Sequence, residues 1–326
     1  MEFDYLRKRM PSDFTRAAKK WEVLKEMLAP KTGLVDLDYY ESDESDDLEN
    51  SDVSWAFSEG DDFFNNARWG WKPVVEAKLR SHINRLGEVL LGPVYTCEGY
   101  EWPHGEDGYP CMPIAQIDLR NASKICKENL GDGLLQLFEK LDGSSSDYFV
   151  RKIPRKYISK QKLTSIPDWG EALIEKQPFA DCWMVDQGRI CMQIMGFSER
   201  AFTVSHSFEF DVEVQKGHKE FSLFNRRKEA LQKAVDELEE KYSAHGTHLF
   251  GTFPGGQYEL DGQYEQDPSF HPLLSLNGYP PCKKSRLIKA GFDFGSGLEF
   301  YQLGNGQLII KNQSHRVPKF YFRYFN

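Results

Sequence analysis

Between Tyr109 and Asp142 the chain reads YPCMPIAQIDLRNASKICKENLGDGLLQLFEKLD, and no other stretch limits the fold as strongly. It holds two short apolar runs, 113–119 (PIAQIDL) and 134–138 (LLQLF), separated by a polar segment that ends in Gly131-Asp132-Gly133. An apolar run of about four to eight residues closed by Gly or Pro fits a buried strand better than a helix. Two such strands so close together predict a sheet with a buried face. A fainter pair follows near the C-terminus, 272–277 (PLLSLN) and 291–303 (GFDFGSGLEFYQL).

Helical periodicity appears in three places. In residues 1–29, Phe14, Ala17, Ala18, Trp21, Leu24 and Leu28 share one face, opposite Arg16, Lys19, Lys20 and Lys25, with Ser12 or Asp13 as cap and Pro30 as stop. From Pro73 to Gly87, the spacing of Val74, Val75, Leu79, Ile83 and Leu86 predicts a second amphipathic helix, with Pro73 in its first turn. From Asn225 to Ser243, Leu231, Ala234, Val235, Leu238 and Tyr242 form an apolar stripe between NRRKE and DELEEK. The segments 181–185 and 189–195 read as a hairpin turning at 186–188, and 317–326 alternates Phe320, Phe322 and Tyr324 against Lys319, Tyr321 and Arg323, as a final strand should.

Two segments align with one another. LLGPVYTCEGYEWPHGEDGYPCMPIAQIDL, starting at Leu90, and HLFGTFPGGQYELDGQYEQDPSFHPLLSLN, starting at His248, share the order apolar-Gly, aromatic turn, Gly/Asp/Glu-rich loop, Pro, buried strand. This predicts a diverged internal duplication, with halves at about 90–200 and 245–326. The fold class is therefore α+β: antiparallel sheets from the duplication, one prominent central helix, and an N-terminal helical extension over 1–89.

Charge is distributed unevenly. The net charge is −9, yet residues 32–67 carry 12 acidic side chains and no Lys or Arg, so the rest of the chain is at +3. Within the tract 36–64 lie Asp36, Asp38, Glu41, Asp43, Glu44, Asp46, Asp47, Asp61 and Asp62, interleaved with Tyr39, Tyr40, Trp55 and Phe57. A purely solvating tail lacks such aromatics. The six cysteines form no Cys-x-x-Cys pair, so reduced, mostly buried thiols are expected. No apolar run approaches the roughly 18 residues of a membrane span and the N-terminus lacks a signal-peptide core, so a cytoplasmic location is expected.

Gly92-Pro93, Glu101-Trp102-Pro103, Pro113-Ile-Ala-Gln-Ile-Asp-Leu119 and Gly133-Leu-Leu-Gln-Leu-Phe138 occur in that order, followed by His248-Leu-Phe-Gly-Thr-Phe-Pro254, Leu273-Leu-Ser-Leu-Asn277 and Gly291-Phe-Asp-Phe-Gly295. This series resembles the YwqG-like family of bacterial domains of unknown function over roughly residues 90–317. The resemblance implies a duplicated α+β domain at 90–326 and no established reaction. Some family members are encoded beside secreted antibacterial toxins, which implies an immunity role for part of the family. Val94 and Tyr95 depart from the family's small or acidic preference, and the second half retains fewer motif positions.

Catalytic signatures are sparse. There is no Gly-x-Ser-x-Gly elbow, phosphate loop or dinucleotide fingerprint. The acidic tract has no glycine where a calcium loop turns sharply, and His245, His248 and His271 lack the spacing of a metal site, so neither metal nor cofactor is expected. The basic run 151–162 (RKIPRKYISKQK) reads as a defended strand edge rather than a nucleic-acid contact. Glu101, Asp118, Asp132 and Asp293 fall near strand ends, where carboxylates more often cap turns than pair for catalysis.

The reading that follows is a non-enzymatic binding protein, most concretely an immunity protein that holds a cognate toxin or other basic protein through the acidic, aromatic residues of 36–64. Acidic residues facing a cationic cleft give fast, salt-sensitive association. Neither nucleic acid nor a membrane is expected as a partner. The alternative is a small-ligand-binding or hydrolytic domain with a cleft between the two halves, using Trp102, Gln116, Asp118 and Gln136.

Overall fold

The computed structural model describes residues 9–29, 34, 52–106, 108–140, 148–167, 190–204, 210, 212, 214, 216–242, 247–252, 270–276, 305–311 and 318–325. The chain is α+β. Among the described residues there are four α-helices, α1 (Ser12–Leu28), α2 (Asp52–Asn66), α3 (Leu119–Cys126) and α4 (Phe221–Tyr242). Ten strands join in one antiparallel sheet: β1 (Arg68–Leu79), β2 (Val89–Leu90), β3 (Met112–Asp118), β4 (Leu134–Glu139), β5 (Tyr148–Ile153), β6 (Ile190–Thr203), β7 (His248–Phe250), β8 (Phe270–Leu276), β9 (Asn305–Lys311) and β10 (Lys319–Phe325).

Their order in the sheet is β10-β9-β8-β7-β1-β6-β2-β3-β4-β5. The long strands β1 and β6 pair at its centre, and a four-strand meander leaves each of them on opposite sides. The sheet curls until its edge strands approach, with the rings of Tyr148 on β5 and Phe322 on β10 4.3 Å apart. The principal core fills this nearly closed barrel with Trp71, Val75, Ile114, Phe138, Leu274 and Ile310. A second core lies under the helices, around Phe14, Trp21, Leu24, Phe63, Phe202, Phe224 and Val235.

The strands expected at 113–119, 134–138 and 272–277 are β3, β4 and β8, and the helices expected within 1–29 and 225–243 are α1 and α4. Residues 291–303 and the turn at 186–188 lie outside the described residues. The helix expected over 73–87 is instead β1, the middle of the sheet, followed by a short 3-10 turn at Arg80–His82. Period two decides the matter: Trp71, Pro73, Val75 and Ala77 are buried while Lys72, Val74, Glu76 and Lys78 are not. Pro73 has no N–H to give the ladder, and the β1–β6 register shifts on either side of Val74. The sheet therefore crosses the boundary expected at residue 89.

The two meanders share irregularities as well as order. Leu91 (φ 51°) precedes Gly92, and Phe250 (φ 59°) precedes Gly251, so a similar left-handed step comes just after β2 and at the last residue of β7. The β3–β4 register shifts between Pro113 and Ala115, and the β8–β9 register shifts between Pro272 and Leu274. Beyond the shift, Gln116 pairs in register with Gln136 and Gln136 with Arg151; Ser275 pairs in register with Gln307 and Gln307 with Arg323.

Candidate functional site

The acidic, aromatic tract reaches the described structure at both ends. Leu34 is fully buried in the helical core, and α2 resumes at Asp52. Asp36, Asp38, Tyr39, Tyr40, Glu41, Asp43, Glu44, Asp46 and Asp47 lie outside the described residues, and Trp55 is on the first half of α2. The second half of α2 is fastened to α1. Phe57 meets Trp21 edge-to-face at 6.1 Å, Phe64 stacks on it at 6.4 Å, and Phe63 is buried beside them. Gly60 permits this approach, because a Cβ there would stand 2.3 Å from Trp21 Cζ2.

Asp61 completes the joint. Its Oδ1 accepts from Trp21 Nε1 at 2.8 Å, and Lys25 Nζ donates to both carboxylate oxygens at 2.6 and 2.7 Å. Asp62, half-buried next to it, has its carboxyl raised above the usual aspartate range, first by burial and then by the charge of Asp61. Phe57 and Asp61, expected to meet a partner, thus bind inside the chain. The sequence reading missed this because Lys25 and Trp21 stand on a helix more than 30 residues away.

Behind α1, Lys241 Nζ on α4 meets Asp13 Oδ2 at 2.5 Å and Tyr242 Oη donates to the same carboxylate at 3.0 Å. Lys241 in turn holds the Asp13 carboxyl below its ordinary range. A groove of about 240 Å³ opens beside this pair, lined by Arg16, Lys20, Leu238 and Glu237.

The alternative set lies wholly within the first meander. Gln116 and Gln136 are fully buried on β3 and β4, with Gln136 Nε2 donating to Gln116 Oε1 at 2.7 Å. Their remaining capacity goes to the backbone. Gln116 accepts from Tyr95 N at 2.7 Å and donates to the carbonyls of Arg85 and Gly87, while Gln136 donates to Tyr95 O at 2.6 Å and accepts from Arg151 Nε at 2.7 Å. Arg151 goes on to the carbonyls of Glu101 and Tyr100, and its burial lowers its guanidinium to about 10. These side chains replace a missing ladder, satisfying the irregular stretch that follows β2. Trp102 is also buried, donating to Cys111 O at 2.8 Å and meeting Phe138 edge-to-face. Asp118 caps α3 by accepting from Arg120 N at 2.9 Å. The four residues expected to line a cleft between the halves are hydrogen-bonded within one half.

The sequence reading passed over Glu88 and Arg85. Glu88 is buried, accepts from Asp118 N at 3.2 Å and from Asn121 Nδ2 at 3.4 Å, and is pushed up to about 7, chiefly by burial. A lone Glu between Gly87 and the apolar Val89-Leu90 is the only signal the sequence offers. Arg85 donates to Val94 O, Thr164 O and Thr96 Oγ1 and so ties 92–96 to 164. Asp293 and His245 lie outside the described residues, and His248 is buried on β7. Among the described residues no group of three His, Cys, Asp or Glu is placed to hold a metal, and no helix is long and apolar enough to cross a membrane.

No known protein-family profile matches this chain, and no curated protein matches it.

Proposed function

We propose that the chain is a binding protein that neutralises a basic partner, most concretely an immunity protein against a cognate toxin, with the acidic tract as its contact surface. The observation that carries this is the anchoring of the tract. Residues 35–51 hold eight carboxylates and no base, and both flanks are fixed to one helical core, at Leu34 and at Phe57–Phe64. A segment pinned at both ends loses less entropy on binding than a free tail, and clustered negative charge speeds encounter with a cationic surface. Use of Gln116, Gln136, Trp102 and Asp118 in holding their own backbone argues against the ligand-cleft alternative.

The same reading includes the YwqG-like resemblance and the internal duplication. The symmetric strand order, the paired left-handed steps at Leu91 and Phe250, and the matching register shifts at Pro113 and Pro272 support the duplication. A cytoplasmic location goes with the immunity role.

The test is co-expression with the products of adjacent reading frames, followed by capture at low and high salt. The reading expects a stoichiometric basic partner that is toxic when expressed alone and is released at high salt. It also expects that changing Asp36, Asp38, Glu41, Asp43, Glu44, Asp46 and Asp47 to their amides abolishes capture and protection. Harmless neighbours and no captured partner would overturn it.

A further inference from the structure

Six basic residues and no acidic one fall between Arg151 and Lys162, and the structure divides them by role. Arg151 is used internally and Arg155 lies 3.6 Å from Asp118. Lys156, Lys160 and Lys162 are exposed on two consecutive 3-10 turns and have no ion-pair partner among the described residues. The ammonium groups of Lys156 and Lys162 stand 4.9 and 5.9 Å from the ring centre of Tyr157. The turns are held rigidly: Tyr95 Oη, on a buried side chain, donates to Tyr157 O at 2.7 Å and accepts from Ser159 N at 3.0 Å. Thr164 N donates to Thr96 O below them. Three unpaired cations, two of them beside one aromatic ring, therefore sit on a hydrogen-bonded backbone.

We propose that this platform is a docking surface for an acidic stretch of polypeptide, and that its occupant is the 35–51 segment of a second copy of the chain. Charge complementarity selects the occupant, since those residues carry eight carboxylates and no base. The placement of tract and platform at opposite ends of β1 points to a contact between copies. The tract's anchors belong to the helical core, which meets the sheet at Ala67 and Phe202. The platform joins the opposite end of β1, where Arg80 donates to Pro167 O and Arg85 to Thr164 O. The 12 residues of β1 separate the two ends, about 36 Å at the usual strand rise. Fully extended, the 17 residues of 35–51 span about 60 Å, so a loop held at both ends reaches out about half of that, less than the length of β1. Two copies laid side by side and antiparallel bring each tract to the other's platform, a closed two-fold contact made twice.

This inference goes beyond the toxin reading and does not depend on it. Sedimentation equilibrium of the full chain tests it at about 0.01, 0.1 and 1 M salt, where screening lengths fall from about 30 to 3 Å. The expected result is a species of twice the 37.7 kDa chain mass at low salt that becomes monomeric at the highest. Lys156→Glu, Lys160→Glu and Lys162→Glu together should leave it monomeric throughout, with a melting temperature unchanged at the highest salt, where both chains are monomers. An excess of the free 35–51 peptide should dissociate the unsubstituted dimer. The triple variant retains the acidic tract, so under the toxin reading it still captures the toxin, and failure of one reading is distinguishable from failure of the other. A monomer at low salt, a dimer that survives the three reversals, or binding of a single-stranded oligonucleotide or anionic vesicle at the platform without binding of the peptide would overturn the inference.

Discussion

Replacing Gln136 by Leu tests whether the buried glutamine pair is scaffold rather than ligand site. Leucine fills nearly the same space at a fully buried position, so little cavity results. Two groups lose their partner: Tyr95 O, now without its donor at 2.6 Å, and Arg151 Nε, now without its acceptor at 2.7 Å. Gln116 Oε1 keeps the Tyr95 N–H. An orphaned buried polar group costs about 1–3 kcal/mol, more when charged, and the added apolar surface returns about 1 kcal/mol. The net loss is about 2–4 kcal/mol. With an m-value of about 2–3 kcal/mol/M, the urea midpoint falls by about 1 M. Arg151→Met in the same chain removes the orphaned guanidinium, so the double variant should lose about 1–2 kcal/mol less than the sum of the single ones. A midpoint unchanged by Gln136→Leu, or strict additivity of the pair, would refute the reasoning and return Gln136 to the pool of ligand-binding candidates.

Gly60→Ala forces Trp21 to move and should lower the thermal midpoint by an overpacking cost of about 1–3 kcal/mol, checked by calorimetry. Asp61→Ala removes the acceptor of Trp21 Nε1 along with the partly exposed pair to Lys25, and should cost about 1–2 kcal/mol in urea unfolding, largely through the indole. For Glu88, folding raises the carboxyl from 4.5 to about 7, so the folded state binds its proton more tightly than the unfolded chain does. Stability from this group is complete below about pH 4.5 and is lost as pH rises through 7, by about 3 kcal/mol at 1.4 kcal/mol per unit. Glu88→Gln should flatten that part of the stability-versus-pH curve; an unchanged slope between pH 4.5 and 7 would count against it. Cys126 and Cys191, both buried with thiols pushed up to about 12, should resist alkylation at pH 8 until the chain unfolds, as mass spectrometry of labelled protein would show.

What the sequence determined by itself is local. Apolar runs bracketed by Gly and Pro marked β3, β4 and β8, because a strand buried on both faces has no other way to be written. A long 3.6-residue stripe marked α4, and the separation of charge needed only counting. β1 escaped because Val74, Val75, Leu79, Ile83 and Leu86 fit a helical wheel by coincidence, while its true two-residue alternation puts a proline, Pro73, at one of the buried positions. α3 escaped because its apolar face is only Leu119, Ala122 and Cys126, short enough to pass as a loop. The roles of polar side chains belonged to tertiary structure throughout. Gln116 and Gln136 become scaffold only when β3 and β4 pair and the backbone of Tyr95 descends between them. Asp61 becomes an internal partner only when α2 lies on α1. A hydrogen bond depends on a few tenths of an ångström between residues far apart in the chain, and side-chain chemistry read in order carries no such distance.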